Sequence, residues 1–205
     1  MTIREIRGSL KEHIVNDRFC SHCGSELTPK MAGGRERAAC PKCGRTMFGR
    51  FSLGVGGLVE HAGRVLFVQR GENPGRGRWT IPGGYVEEDE TPDQAVVREV
   101  FEETSLRTRA VSLLAIRNTL RGDDQNAYYV FKLDLEALPE IAVDGRETVD
   151  AKFFAPEEFD SLADLAPMSR WIAEHHSGDG LKLIDANGKL KPLAGSKWAL
   201  FGIEE

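Results

Sequence analysis

The chain has 205 residues and a formal net charge of −5, with 40% hydrophobic and 29% charged residues. That length suffices for one good-sized core plus a small module, and the acidic balance excludes a generic nucleic-acid binder. No apolar run is long enough for a membrane helix, and the amino-terminal Met-Thr-Ile-Arg-Glu-Ile-Arg-Gly lacks the apolar stretch of a signal peptide, so a cytoplasmic protein is expected. Residues 1–17 form a short N-terminal segment. Ile3, Ile6, Leu10 and Ile14 are spaced like one apolar helix stripe, and no function follows from them.

Residues 18–50 read as a separate unit. Cys20-Ser-His-Cys23-Gly and Cys40-Pro-Lys-Cys43-Gly are two matching Cys-x2-Cys-Gly turns. Four Cys in an intracellular chain favour metal over disulfides. Four thiolates at this spacing suit tetrahedral Zn²⁺, and the segment resembles a zinc ribbon. A shell of Cys20, Cys23, Cys40 and Cys43 leaves no open position for water, so the zinc is expected to be structural. Arg18, Lys30, Arg35, Arg37, Lys42, Arg45 and Arg50 outnumber Glu26 and Glu36 here. A solvated surface is preferred over a contact for nucleotide phosphates or RNA, because no aromatic stacking series accompanies the charge.

Residues 51–176 are expected to form the main domain. A Gly-broken strand over 53–60 and a clearer one over 65–70 flank the turn His61-Ala-Gly-Arg64, which reads as a hairpin. Residues 71–79 are rich in Gly, Pro and Arg, hence a loop; Arg70, Arg76 and Arg78 are candidates to meet phosphate, with ordinary solvated loop charges the alternative for each. A helix then starts with clear signals: Thr91 at the cap, Pro92 at the first helical position and Gln94 completing a capping box. Helical spacing places Val96, Val97, Val100 and Phe101 toward a core. Glu99, Glu102 and Glu103, at i, i+3 and i+4, project together on another face. Three carboxylates so placed repel one another, and two of them sit near the helix C-terminus where the macrodipole disfavours them. A hard divalent cation such as Mg²⁺ would remove both penalties.

Strands are expected over 110–120 and 127–135, joined by a turn at 121–124. Tyr128 and Tyr129 point to opposite faces, so at most one reaches a pocket; Tyr128 is the candidate. Residues 136–150 form an acidic loop containing Asp144, Glu147 and Asp150. A short strand over 151–155, a helix starting at Pro156 and a last helix over 168–176 follow. His175 and His176 diverge by about 100° on a helix and make a poor chelating pair. Residues 177–205 form a C-terminal extension with an Asn187-Gly188 hairpin signal. Its apolar Trp198-Ala-Leu-Phe201 cluster docks on the main domain or forms a homodimer contact.

Gly84-x5-Glu90-x7-Arg98-Glu99-Val100-x-Glu102-Glu103-x-Ser105-Leu106 resembles the signature of the Nudix hydrolase family. Ser105 stands where that signature has Gly, and this departure bears on the turn after the helix. The preceding Trp79-Thr80-Ile81-Pro82-Gly83-Gly84 is similar to the family's loop before the helix, and several members carry an N-terminal zinc ribbon. The resemblance implies an α/β fold, an α/β/α sandwich around a mixed sheet with the small ribbon in front. It implies divalent-metal-dependent hydrolysis of a nucleoside diphosphate linked to another group, releasing a mononucleotide. Mg²⁺ or Mn²⁺ would then sit on Glu99, Glu102, Glu103 and the Gly83 carbonyl, with Arg98 orienting carboxylates beside Glu90. Glu103 or Glu147 would be the general base. The expected substrate is a dinucleotide or nucleotide sugar, with ADP-ribose or FAD among them, although this chain has no Pro between Pro92 and Pro139, where ADP-ribose pyrophosphatases often carry one. NADH and NAD-capped RNA rank lower, because residues 107–121 show nothing like the Ser-Gln-Pro-Trp-Pro-Phe-Pro-x-Ser block of NADH pyrophosphatases. Neither a nucleic-acid partner nor a membrane is expected. A nucleotide- or RNA-sensing regulator without turnover is the alternative from another class, and its hallmark, lost carboxylates, is missing here.

Overall fold

The computed structural model describes residues 18–121, 124–176, 180–184 and 200–201. The expected stripe over 1–17, the centre of the turn at 121–124, the Asn187-Gly188 turn and Trp198 lie outside the described residues. The chain divides into two compact units, residues 1–52 with 119–126, and residues 53–118 with 127–205.

In the first unit a hairpin joins two Cys turns. Strands β1 (Thr28–Ala32) and β2 (Arg35–Ala39) pair antiparallel, with Thr28 opposite Ala39 and Ala32 opposite Arg35. The two Cys turns close in the same way. The Cys20 amide donates to the Ser25 carbonyl and the Gly24 amide to the Cys20 carbonyl, both at 2.8 Å. The Cys40 amide donates to the Arg45 carbonyl at 2.8 Å and the Gly44 amide to the Cys40 carbonyl at 2.9 Å. Gly24 and Gly44 sit at φ of +69° and +75°, the left-handed region that a residue with a Cβ adopts only at a cost.

An eight-stranded mixed sheet carries the rest. Its strands are β3 (Arg50–His61), β4 (Arg64–Arg70), β5 (Trp79–Thr80), β6 (Thr108–Arg121), β7 (Asp124–Leu135), β8 (Thr148–Phe154), β9 (Leu181–Ile184) and β10 (Leu200–Phe201). The order is β10-β9-β6-β7-β3-β4-β5, with β8 paired to β4. Alternation along the strands feeds two cores. Val55, Val59, Leu66, Phe131 and Leu133 face helix α1 (Pro92–Thr104), meeting its Ala95, Val96 and Val100. Leu58, Val65, Phe67 and Val130 face the other way, against Phe159 in the 3₁₀ turn Pro156–Ser161 and Ile172 and Ala173 in α2 (Pro167–His175). These side chains are buried, and each contributes about 1.5–3 kcal/mol of transfer free energy. The layers are therefore helix, sheet, helix, as expected.

Two expectations need correction. The hairpin over 53–70 is paired only at its tip, Glu60 with Val65 and His61 with Arg64. Beyond the tip, residues 79–86 run between the two strands. Trp79 and Thr80 pair with Gln69 and Val68 of β4, while the Gly57 and Val55 amides of β3 donate to the Pro82 and Gly84 carbonyls at 2.9 and 2.8 Å. The second correction concerns Phe101, which is 48% exposed although Val96 and Val100 are fully buried. It flanks the buried stripe and faces a surface cleft lined also by Val97 and Leu106.

Candidate active site

The segment inserted between β3 and β4 fixes where α1 begins and what its acidic face meets. β3 takes the carbonyls on either side, so alternation turns the Gly83 carbonyl away from β3. The Gly83 amide donates to Glu103 Oε2 at 2.8 Å. A side chain at Gly83 would place its Cβ 2.1 Å from the Val55 carbonyl oxygen, and at Gly84 the Cβ would lie 2.4 Å from Glu99 Oε1. Only glycine lets the chain pass between the strand and these carboxylates.

Arg98 organises the remaining acids. Its Nε and Nη2 donate to the two oxygens of Glu90 at 3.0 and 2.6 Å, its Nη1 to Glu99 Oε1 and Glu102 Oε2 at 2.9 Å each, and Nη2 also to the Tyr85 carbonyl at 3.0 Å. The Glu90 pairing is bidentate, the geometry for which a guanidinium is suited. These partners hold the Arg98 proton very firmly, Glu90 first. Glu90 in turn accepts from the Glu87 amide at 3.0 Å.

Glu103 differs from the others. Burial pushes its carboxyl up to about 8, and the neighbouring Glu99 charge adds to this. The Gly83 amide, the Arg70 charge and the Thr148 hydroxyl work the other way without offsetting it. Thr148 Oγ1 is buried and has no hydrogen-bond partner within normal limits, yet it lies close enough to favour the charged carboxylate. Glu99 is also shifted upward, by burial first and by Glu102 and Glu90 among the charges. Glu102 is half exposed. Tyr128, on the opposite face from Tyr129, is pushed well above its ordinary value by burial and by the Glu103 and Glu99 charges. The Arg117 guanidinium sits 4.9 Å over its ring.

Arg70 therefore shares the electrostatic surroundings of Glu103 and Tyr128, with its Nε held by the Pro74 carbonyl at 3.0 Å. Arg78 is engaged elsewhere, by Asp164 at 3.0 Å. Glu147 is exposed and ion-paired to Arg146. Its loop is pinned by Asp144, which accepts amides from Arg146, Glu147 and Thr148, and by the Gly71 amide bonded to the Glu147 carbonyl at 2.8 Å.

At Ser105 the turn after α1 still closes. Ser105 adopts φ 61° and its amide donates to the Phe101 carbonyl at 2.7 Å. Its hydroxyl donates to the Ala142 carbonyl at 3.1 Å, and the Ala142 amide returns a bond to the Thr104 carbonyl at 3.0 Å. The serine hydroxyl thus ties the acidic loop to the helix end, a link that glycine could not make.

The four Cys form a cluster whose sulfurs all lie within 4.8 Å of one another, with Cys20 to Cys43 at 3.7 Å and Cys23 to Cys40 at 3.5 Å. A tetrahedral ion with Zn–S of about 2.3 Å requires sulfurs about 3.8 Å apart, so the cage fits. Hydrogen bonding from Ser25 brings Cys23 down to about 6. Among the described residues this is the one such group of three or more His, Cys, Asp or Glu. Glu99, Glu102 and Glu103 do not close to that radius: Arg98 draws the first two while Gly83 draws the third.

Sequence spacing identifies the three carboxylates, Arg98 and Glu90; the structure joins Glu90, Glu99 and Glu102 through Arg98, while Glu103 accepts from the Gly83 amide instead. It misses Thr148 and Arg117, which arrive from distant strands and carry no local signal. The fold and this acidic helix define a class. The NUDIX domain model matches residues 50–174, and the chain belongs to the NUDIX family. It is 31% identical over 112 residues to the ADP-ribose pyrophosphatase of Methanocaldococcus jannaschii, spanning 55% of this chain and 66% of that protein. It is 26% identical over 188 residues to the NAD-capped RNA hydrolase NudC of Photobacterium profundum, spanning 91% of this chain and 67% of that protein. The crystal structure of a NUDIX hydrolase from Nitrosomonas europaea aligns with a TM-score of 0.64 at 29% identity, over 80% of this chain and 95% of that one. The chain spans 66%, 46% and 37% of the lengths of three of its curated relatives, about two thirds at most.

Proposed function

We propose that the NUDIX domain hydrolyses the pyrophosphate bond of a nucleoside diphosphate joined to another group, a dinucleotide or nucleotide sugar, and releases a mononucleotide. One observation carries this reading. Glu103 is a buried carboxylate beside a second acid, Glu99, and one amide, the Arg70 charge and the Thr148 hydroxyl do not offset its burial. A desolvated acidic pair of this kind is suited to a hard cation with oxygen ligands. Glu99, Glu102, Glu103 and the Gly83 carbonyl are the groups to hold Mg²⁺ or Mn²⁺. When bound, such an ion neutralises pyrophosphate charge and lowers the pKa of water. Arg98 fixes the orientation of Glu99 and Glu102. Glu103 or Glu147 accepts the proton from the attacking water. Arg70 and Tyr128 face the phosphates or the bound nucleotide, and Arg78 is a further phosphate contact from the same loop once free of Asp164. Cys20, Cys23, Cys40 and Cys43 hold a structural Zn²⁺. The setting for this enzyme is the cytoplasm.

The similarity to an ADP-ribose pyrophosphatase supports a substrate of that type. A second reading, NAD-cap or NADH hydrolysis, is favoured by the NudC relative whose match covers 91% of this chain. It ranks second because residues 107–121 lack the block that marks NADH pyrophosphatases. The test is incubation with Mg²⁺ or Mn²⁺ and ADP-ribose, FAD, NADH, NAD, diadenosine polyphosphates or nucleoside triphosphates, scored for mononucleotide release. Release from ADP-ribose or FAD is expected. Preference for NADH would establish the second reading. No release from any substrate, with tight nucleotide binding retained, would establish a sensor instead.

A further inference from the structure

Thr148 opens β8, where the acidic loop rejoins the sheet. Its backbone is fixed from three sides. The Thr148 amide donates to Asp144 Oδ1 at 2.9 Å, its carbonyl accepts the Gly145 amide at 2.9 Å, and it stands opposite Arg70 at the end of β4. The loop before it is also tied to the C-terminal end of α1. The Ala142 amide donates to the carbonyl of Thr104, the residue after Glu103, at 3.0 Å, and the Ser105 hydroxyl donates to the Ala142 carbonyl at 3.1 Å. On the β4 side the Gly71 amide donates to the Glu147 carbonyl at 2.8 Å, and a Cβ at Gly71 would lie 1.9 Å from the Arg146 carbonyl oxygen. Held at both ends, the loop brings β8 against α1.

The side chain of Thr148 is out of balance in this setting. The residue is 1% exposed, and its hydroxyl has no hydrogen-bond partner within normal limits among the described residues. A buried hydroxyl left in that state is rare in native proteins. Valine would fill the same space without burying a polar atom, so packing does not explain the hydroxyl. The Glu103 carboxylate lies beside it, within reach of a hydrogen bond. A hydroxyl can donate one hydrogen bond, and an ionised carboxylate only accepts. Threonine is also stiff at χ1, which holds the donor in one direction.

We propose that Thr148 is a positioning residue for Glu103: its hydroxyl donates to the charged carboxylate and, together with the Gly83 amide, fixes how Glu103 presents its oxygens to a divalent cation. This role rests on the reading of Glu103 as a metal ligand given above. Arg98 orients Glu99 and Glu102 through its fork, and among the described residues no guanidinium bonds to Glu103. Orientation of Glu103 therefore falls to an amide from the segment before α1 and a hydroxyl from β8. Groups that orient metal-binding side chains contribute about 10–100-fold to metal affinity.

The test is a Mn²⁺ titration of the zinc-loaded full chain, read as free Mn²⁺ by electron paramagnetic resonance, with melting curves recorded before Mn²⁺ is added. Thr148→Val should weaken Mn²⁺ binding about 10-fold or more. Thr148→Ser, which restores the donor, should stay within about threefold of wild type. Without Mn²⁺ the melting temperature of Thr148→Val should hold or rise, because the variant removes an unpaired buried hydroxyl and keeps its shape. A merely structural role would lower the melting temperature and leave Mn²⁺ affinity alone. Wild-type affinity in Thr148→Val, with binding weakened in Glu103→Gln, would overturn the role of Thr148 and leave Glu103 as a ligand. Equal weakening in Thr148→Ser and Thr148→Val would overturn it as well, since the hydroxyl would then not be the cause. Wild-type affinity in Glu103→Gln would overturn the metal-ligand reading and this role with it.

Discussion

Glu103→Gln should slow the enzyme and stabilise the magnesium-free protein at the same time. In the fold, burial lifts the Glu103 carboxyl from 4.5 to about 8. Below pH 4.5 both folded and unfolded chains hold the proton, and the side chain costs nothing by this route. Between pH 4.5 and 8 the unfolded chain releases its proton while the folded chain keeps it, so stability falls as pH rises. At about 1.36 kcal/mol per pH unit, the full interval has a ceiling of roughly 5 kcal/mol. Relaxation and water penetration reduce this to about 2–3 kcal/mol in practice. Gln removes the penalty. At pH 8 without Mg²⁺ it should therefore melt about 4–12 °C above wild type, at 2–4 °C per kcal/mol for a chain of this size. Saturating Mg²⁺ should stabilise wild type, by about 2.7 kcal/mol at a hundredfold excess over Kd, and should stabilise the variant much less. Turnover should fall by about 10²–10⁴, the usual scale for losing a positioned acid–base group or its equivalent. Melting curves at pH 5 and pH 8, each with and without Mg²⁺, check all of this. If the variant is no more stable than wild type at pH 8 without Mg²⁺, and gains as much from Mg²⁺, Glu103 is neither strained nor a metal ligand.

Arg98→Lys keeps a charge but replaces a fork that reaches three carboxylates and the Tyr85 carbonyl with a single ammonium. The Mg²⁺ concentration for half-activation should rise about 10–100-fold with circular dichroism unchanged. Ser105→Ala keeps the left-handed turn and loses the bond to Ala142, costing about 1 kcal/mol in urea unfolding. Ser105→Gly loses the same bond but relieves the φ of 61°, worth up to about 1 kcal/mol, so it should lie near wild type. Cys40→Ser should lower bound zinc from about one per chain to well below half, measured by metal analysis of the purified protein.

The acidic helix was legible because its logic is local. Capping residues, a Pro at the first turn and three Glu at helical spacing all fall within one stretch of chain. The four-Cys cluster was legible for a similar reason, since each Cys turn is a short closed loop repeated with the same hydrogen bonds. What escaped was set by partners distant in sequence. Nothing in residues 53–70 says that the hairpin opens beyond Glu60 and Val65, because the cause is the later segment 79–86 entering between its strands. The glycines that break β3 are explained by the same distance effect. A Cβ at Gly56 would lie 2.5 Å from the Tyr128 hydroxyl, and one at Gly57 would lie 2.4 Å from Leu133, both on β7. Phe101 was misplaced because periodicity marks an apolar stripe without saying where the packed layer ends.

The division of labour among the carboxylates follows from these constraints. Glu90, Glu99 and Glu102 all bond to Arg98, so their mutual repulsion is answered within the protein. Among the described residues no guanidinium bonds to Glu103; the Gly83 amide donates to it at 2.8 Å, with the Thr148 hydroxyl and the Arg70 charge nearby, and that amide is brought there by residues 79–86 running between β3 and β4. On the proposed reading, an added cation would matter most at Glu103, the acid that the inserted segment holds through the Gly83 amide. A variant that releases the wedge while leaving every acid in place tests this directly. Gly84→Ala drives a Cβ to 2.4 Å from Glu99 Oε1 and must displace either the carboxylate or the segment. It should reduce metal-dependent turnover about as severely as loss of an acid, with the hydrophobic layers on both faces of the sheet intact. Wild-type turnover in Gly84→Ala would mean that the acids alone, without the inserted strand, define the site.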